Sequence, residues 1–538
     1  MAVVAEELAD ALHELGVQYV FGVPSGNWVD YCEALRSKAG IEFILVSNEA
    51  SAGFMADICW RLTGKLAACF GTHGPGACNL STGVCCGFLD RSPMLALADE
   101  SSDKMLHRVT QMNIDQQSLF KPISKLQARL RPDTVKGILY QAAQLALSHR
   151  PGPAYIGLPA GLGLEQAASQ ELQMQAPEAL PSAEPAALDS MLRLFEASRR
   201  PLMALGIGAS RSGSRALILK IAEKFRVPVV LTPMAKGMLP EDHPCYAGVL
   251  AHALADQVAL THQQADLVLG VGYDPVEINY EEWIPDVPLV HIDPLPADVD
   301  REQIRLGCEV LGSMEQCLQH LDLAQCPGKD WDLQALARRR TEMFRQLEPV
   351  QGRFEARGVL SELRRRLPGN GIMTCDVGAH LHLIGQQWKT PEPGLQLMTN
   401  GCSSMGFGIP AAIAAKLCCP DREVCCVTGD GGFLMMAGEM ATAARLNTKV
   451  VFVVMLDREL ALISIKQDRK SYRPYATGLH SQGYEPDKSV FGVPVLEAHD
   501  QQQYQAALDQ AFAESGPVIV QAFVNKDDYQ DLILKGNK

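Results

Sequence analysis

The 538-residue chain is 47% hydrophobic and 20% charged. That is enough apolar content to bury several cores, so dominant disorder is excluded and three domains are the natural expectation. A formal net charge of −14 opposes nonspecific binding to nucleic acid or an anionic membrane, but leaves open a small anionic substrate, which responds to the local field of a pocket.

The opening MAVVAEELADAL has acidic residues where a signal peptide needs basic ones, and no apolar run of roughly 18 residues is present to span a membrane. Sixteen cysteines include the adjacent pairs Cys85-Cys86, Cys418-Cys419 and Cys425-Cys426, without the C-x-x-C spacing of a zinc or thioredoxin-type motif. Most sit in apolar runs, so a soluble, cytoplasmic protein with reduced core cysteines is expected.

A helical pattern over Val3 to Leu15 precedes the short apolar runs VQYVFGVP, IEFILVSN, KLAACFGT and SPMLALADE, the α/β signature of a parallel sheet. This block closes at HRPGPAYIGLPAGL, and residues 161–185 read as a polar, proline-punctuated linker. A second block starts at RRPLMALGIGASRSGS and runs through VPVVLTPM, ADLVLGVGYDP and VPLVHIDP, the pattern of a Rossmann-like sheet. After a charged helical stretch from Leu333 to Phe354, a third block contains GIMTCDVG, NGCSSMGFGIPAAIAAKL, REVCCVTGDGGF and KVVFVVMLD. The expected fold class is therefore α/β with three parallel-sheet domains, over 1–165, 186–330 and 355–538. The first and third are similar in layout, which fits two related domains facing one another.

The stretch VCCVTGDGGFLMMAGEMATAARLNTKVVFVVMLDRELALI carries the chemistry. A buried strand enters Gly429-Asp430-Gly431-Gly432, a helix follows, and a second strand ends near Asp457 and Glu459. Glycines at a strand end let backbone N–H groups approach a diphosphate, and a helix start adds a favourable dipole. A carboxylate there would repel the diphosphate unless a cation lay between them, so Asp430 reads as a ligand for Mg²⁺, a hard ion that prefers oxygen donors. Asp457 could complete the site from the neighbouring strand, at the sheet edge where open α/β folds bind ligands.

At this point the sequence resembles the thiamine-diphosphate enzyme family, whose motif begins with GDG and ends in an Asn-Asn pair; here the pair is Leu456-Asp457. The resemblance implies thiamine diphosphate and Mg²⁺ as cofactors, with the backbone carbonyl of Glu459 as third protein ligand. It also assigns the three domains as pyrimidine-binding, central and diphosphate-binding. In FILVSNEASAGFMADICWRLTGKLAACFGTHGPGACNLSTGV, the match implies that Glu49 hydrogen-bonds the cofactor's pyrimidine N1′ and favours the imino tautomer that activates it. Met405 matches the apolar wedge beneath the bent cofactor, although core filling would explain it equally. Gly378, Ala379 and His380 match positions beside the diphosphate, with His382 an alternative to His380.

The resemblance is nearest to acetolactate synthase-like members, through GPGACNLSTGV, IDQQSLFKPISK, RPGPAYIGLP, LGVGYDPVEINYEEW, LVHIDPLPAD and MGFGIPAAIAA. It implies decarboxylation of a 2-oxo acid followed by carboligation to a second carbonyl, in a homodimer or homotetramer with sites at subunit interfaces. The GYDPVE and HIDPLPAD segments look more like flavin-free catabolic members, so no FAD is expected. Thr72-His73 before the glycine turn and VPSGNW, with Ser25 and Gly26, argue against a simple pyruvate decarboxylase.

His73 is either a proton-transfer group or a turn residue. Gln111, Gln116 and Gln117 fall in a segment that borders the substrate in relatives. Lys466, four residues after Leu462, stands where biosynthetic members carry a tryptophan. It is either a snorkelling surface lysine or an anchor for a second anionic group, and the latter would suit a non-ligating decarboxylase of an acidic or bulky 2-oxo acid.

Overall fold

The computed structural model describes residues 2–168, 179–284, 286–479 and 488–534. Its first sheet is formed by β1 (Tyr19–Gly22), β2 (Glu42–Leu45), β3 (Ala68–Gly71), β4 (Leu95–Glu100), β5 (Gln127–Arg129) and β6 (Ala154–Pro159), in the order β2-β1-β3-β4-β6-β5. Every pairing in it is parallel. Strands β3 and β4 are buried throughout, as helices on both faces of a parallel sheet require. Of the expected linker, residues 169–178 lie outside the described residues, and the flanking described parts contain no helix until one begins at Pro185, the last residue of that span.

The second sheet contains β7 (Pro201–Leu205), β8 (Val229–Leu231), β9 (Tyr246–Val249), β10 (Leu267–Val271), β11 (Leu289–Asp293) and β12 (Leu306–Leu311), in the order β12-β11-β10-β7-β8-β9. Counted from its own first strand, this is the doubly wound 3-2-1-4-5-6 arrangement of a dinucleotide-type fold.

The third sheet contains β13 (Ile372–Cys375), β14 (Gln396–Leu397), β15 (Val424–Gly429), β16 (Val450–Leu456), β17 (Ser489–Val490), β18 (Val493–Ala498) and β19 (Val518–Phe523). Its order is β14-β13-β15-β16-β19-β18-β17. Apart from β17, which pairs antiparallel with β18, the topology repeats that of the first sheet strand for strand. The related layout of blocks one and three is thus a feature of the fold itself.

The first and third blocks share a core. Helix α1 (Glu49–Thr63) packs on α2 (Pro75–Leu89) and, across the block boundary, on α4 (Gly408–Cys418); α3 (Ala379–Gln387) follows β13. α1 and α2 approach so closely that a Cβ on Gly53 would lie 2.6 Å from the backbone of Gly83. Phe54 of α1 meets Phe407 edge-on, with centroids 5.6 Å apart.

A buried charge network ties the blocks together. Arg61 donates to Asp57 (2.7 Å), to Asp90 (2.9 Å) and to the carbonyl of Met398 (2.6 Å), while Asp90 also accepts from Gly401 N (2.8 Å). The central block joins through Arg211, which donates to the carbonyls of Asp90 and Arg91, and through the two-pronged Arg91–Asp274 pair at 2.7 and 3.1 Å. Asp57, Cys86 and Asp90 lie close enough together to suggest a metal site. Arg61 already supplies the positive charge there, so the cluster is a structural ion network.

Candidate active site

Strand register sets up the acidic end of the third sheet. Gly429 of β15 pairs with Met455 of β16, so Asp430 and Asp457 emerge from neighbouring strand ends. Helix α5 (Asp430–Met436) begins at Asp430 itself, so the glycines expected in a turn form its first turn. Asp430 is buried; it accepts from Gly431 N (2.9 Å) and from Arg458 N (2.7 Å), holding the two strand ends together. Burial, reinforced by the negative charge of Asp430, pushes the Asp457 carboxyl up to about 8. Converging carboxyl oxygens are the donor chemistry of a hard divalent cation, and the residues fit Mg²⁺. The Glu459 side chain is already engaged by Ser464 and lies 3.7 Å from Lys526 Nζ. Its carbonyl accepts from Ala461 N at 2.9 Å, which leaves one lone pair.

The glycines have a steric rationale. A Cβ on Gly431 would stand 3.0 Å from both Met405 Cε and Leu460 Cδ2; one on Gly432 would stand 2.6 Å from Asp376 Oδ2; one on Gly429 would come 3.3 Å from the His380 ring. Met405, His380 and the glycine turn are therefore brought together, and the cradle fits a diphosphate. Gly378 caps α3 and abuts the same imidazole, with Ala379 buried beside it. Burial lowers His380 to about 4, so its ring is neutral at physiological pH. Sequence reasoning missed Asp376. This fully buried carboxyl at the end of β13 accepts from Val377 N (2.7 Å), Gly406 N (2.8 Å) and Thr428 Oγ1 (3.2 Å), joining the end of β13 to the end of β15 and to the segment that carries Met405. Its signal was a lone aspartate terminating an apolar strand in MTCDVG.

At the corresponding edge of the first sheet, Glu49 is the first residue of α1 and is buried. Asn48 caps that helix by accepting from Ala50 N at 2.9 Å. Asn79 Nδ2 donates to Glu49 Oε2 (3.0 Å), and a Cβ on Gly76 would stand 3.1 Å from Oε1. One face of the carboxyl is thus kept open by glycine. Glu439 accepts from Ser47 N (2.9 Å) and Asn48 N (3.1 Å), fixing the approach to Glu49 from the third block.

Ser25, His73 and the glutamines gather nearby. Ser25 Oγ donates to Asp99, which also accepts from Thr72 Oγ1 at 3.5 Å; burial raises Asp99 to about 6 against these donors. His73 is half-buried, with Nδ1 buried and unpartnered, and burial lowers its pKa. Gln116 accepts from Gly74 N (2.9 Å) and donates to the Asp99 carbonyl and to Tyr155 (2.9 Å each), which makes it a brace for the glycine turn. Gln117 donates to Glu100 (2.6 Å). Gln111 and Gly26 are exposed. Met112, next to Gln111, lies with its backbone against Gly74.

Leu462 is half-buried and Lys466 exposed on α6 (Ala461–Arg469). Burial, followed by the charge of Lys466, lowers His382, and the His382 and His252 rings lie 5.3 Å apart. Eight of the sixteen cysteines are buried and Cys78 alone is exposed.

Three family models match this chain in the order of its sheets. They are the N-terminal TPP binding domain of thiamine pyrophosphate enzymes over residues 2–119, the central domain over 188–321 and the C-terminal TPP binding domain over 376–522. The chain belongs to the thiamine pyrophosphate enzyme family. Within that family it is acetolactate synthase-like. It is 30% identical to a probable acetolactate synthase large subunit of Methanocaldococcus jannaschii, over 85% of this chain and 81% of that protein. It is 29% identical to the acetolactate synthase of Bacillus subtilis, over 98% and 94% respectively, and 29% identical to the acetolactate synthase isozyme 1 large subunit of Escherichia coli, over 97% and 94%.

Proposed function

We propose that the protein uses thiamine diphosphate and Mg²⁺ to decarboxylate a 2-oxo acid and joins the retained carbons to a second carbonyl, as an acetolactate synthase does. The observation that carries this reading is the matched pair of sheet edges. Buried Glu49, with one face kept open by Gly76, stands at one edge; the Asp430–Asp457 pair beneath a glycine cradle stands at the other.

When bound, thiamine diphosphate supplies the carbon nucleophile and the electron sink for loss of CO₂. Asp430, Asp457 and the Glu459 carbonyl hold Mg²⁺, and Gly429, Gly431 and Gly432 admit the phosphates, flanked by Gly378, Ala379 and neutral His380. Met405 supports the cofactor from its apolar side, and Glu49 holds a proton at the pyrimidine N1′. We assign His73 and Gln111 as candidates for proton transfer and carbonyl binding, and Ser25, Gly26, Leu462 and Lys466 as candidates for substrate contact. We assign 1–165 to pyrimidine binding, 186–330 to the central domain and 355–538 to diphosphate binding, in a cytoplasmic homodimer or homotetramer whose sites join two subunits. No helix among the described residues is long and apolar enough to cross a membrane.

The test is incubation of purified protein with pyruvate, Mg²⁺ and thiamine diphosphate. Acetolactate is expected; CO₂ with aldehyde alone would overturn the carboligase reading. A second reading, a non-ligating decarboxylase of an acidic or bulky 2-oxo acid, rests on Lys466, exposed on α6, as an anchor for a second anionic group. Turnover of 2-oxo diacids undiminished by Lys466→Met would remove Lys466 as the reason for an acidic substrate, and a protein that turns over no 2-oxo diacid or bulky 2-oxo acid would overturn the reading.

A further inference from the structure

The sulfur atoms of Cys59 and Cys418 lie 3.2 Å apart although 359 positions separate them in sequence, about 1.2 Å beyond the length of a disulfide bond (~2.05 Å). Cys59 lies in the last two turns of α1 and Cys418 is the final residue of α4. The two helices run alongside one another, with Phe54 against Phe407 near their starts and Cys59 against Cys418 near their ends. The thiol contact therefore sits on the seam between the first and third blocks, at the end away from Glu49 and Met405. Ten residues of helix, about 15 Å, separate Cys59 from Glu49.

The surroundings differ between the two thiols. Cys59 is buried, whereas Cys418 is half-buried, followed by a turn in which Lys416 Nζ donates to the carbonyls of Pro420 and Arg422. The positive charges of Lys416 and Arg422 act on the neighbouring Cys419; Cys418 is the more accessible thiol of the pair, and thiol reactivity follows accessibility. Burial raises the Cys59 thiol well above its ordinary value, so the first attack falls to Cys418, and Cys59 follows from its position 3.2 Å away. The backbone around the pair is held in place: Thr63 Oγ1 donates to the Cys59 carbonyl (2.6 Å), Tyr19 donates to the Leu417 carbonyl (3.3 Å), and Cys419 N donates to the Ala415 carbonyl (2.9 Å).

We propose that Cys59 and Cys418 form a reversible disulfide that staples α1 to α4 when the protein meets a low-molecular-weight disulfide. The Cys418 thiolate attacks one sulfur of glutathione disulfide, forming a mixed disulfide and releasing one glutathione thiolate. Cys59 loses its proton and attacks the Cys418 sulfur, so the second glutathione leaves. The protein gives up two protons and two electrons, and glutathione disulfide takes them up as two thiols. The bond closes a very long loop across the two blocks, restricting the unfolded chain and opposing separation of the seam. Because the staple lies a helix length from Glu49, it stabilises the protein without altering the chemistry of the site.

The experiment uses the full-length protein, reduced, desalted and titrated with glutathione disulfide; remaining thiols are then alkylated and a tryptic map is made without reduction. A linked species joining peptide 39–61 to peptide 417–422 is expected, together with a higher melting temperature than that of the reduced protein; dithiothreitol should reverse both. In Cys59→Ala the link should be replaced by glutathionylated 417–422, and in Cys418→Ser the oxidation-dependent melting shift should vanish. Peptide 417–422 also holds Cys419, so Cys419→Ser must keep the link. The proposal is overturned if the native protein forms no linked species, if the link survives in Cys418→Ser, or if it forms without any rise in melting temperature.

Discussion

Replacing Glu277 with Gln should stabilise the protein progressively as pH rises from 5 to 8. Glu277 is buried between the blocks: its Oε2 accepts from Ile207 N at 2.8 Å, its Oε1 is unpartnered, and its carbonyl accepts from Asn400. Burial pushes the carboxyl from an ordinary 4.5 up to about 8, against the nearby Thr232 hydroxyl, the Ile207 hydrogen bond and the charge of Arg211. Because the folded value lies above the unfolded one, the unfolded chain releases this proton between about pH 4.5 and 8 while the folded protein keeps it. Stability is therefore fully present below the lower value and falls as pH rises through the window.

The 3.5-unit interval (8 minus 4.5), at about 1.36 kcal/mol per unit, sets an upper bound of roughly 5 kcal/mol. Glutamine keeps an acceptor for Ile207 N and does not titrate. Thermal melts of wild type and Glu277→Gln, followed by circular dichroism at pH 5, 6, 7 and 8, should diverge in favour of the variant. Each kcal/mol is worth about 2–4 °C in a unit of 150–250 residues. Parallel melting profiles, or a wild type that gains on the variant toward pH 8, would refute the reasoning.

Glu49→Gln should bind thiamine diphosphate by titration calorimetry nearly as well as wild type, yet lose activity by about 10²–10⁴-fold, the range for a positioned proton-transfer group; full turnover would remove its assigned role. Gly53→Ala drives a methyl group into the Gly83 backbone. It should cost about 1–3 kcal/mol or more, seen as a lower melting temperature, whereas a neutral effect would mean that the two helices separate easily. Arg61→Met leaves Asp57 and Asp90 buried without their cation. A loss of about 3–5 kcal/mol is expected, measured by urea denaturation, and a change below 1 kcal/mol would show that the aspartates find other partners or protonate cheaply.

Local order in the sequence made much of the fold legible. Short apolar runs alternating with helical patterns announced three parallel sheets, because strands covered on both faces must be apolar throughout. Gly429-Asp430-Gly431-Gly432 announced an acidic, phosphate-sized turn, since the steric demand for glycine and the charge of the aspartate are both written in neighbouring residues. Glu49 became legible through resemblance of its surroundings more than through its own position.

Only the tertiary structure decided which distant groups meet. Asp376 gains its place by accepting from segments 30 and 52 residues away. Arg61 reconciles two aspartates from α1 and the end of α2, and Asp430 stands beside Asp457 because Gly429 pairs with Met455. The sequence by itself determined the sheets, the glycine turns and the acidic strand end, because these follow from spacing and side-chain size over a few residues. Strand order, the repeated topology of the first and third sheets and the charges of the buried groups were decided by folding. Those properties depend on which strand ends converge and how much water is excluded where they do.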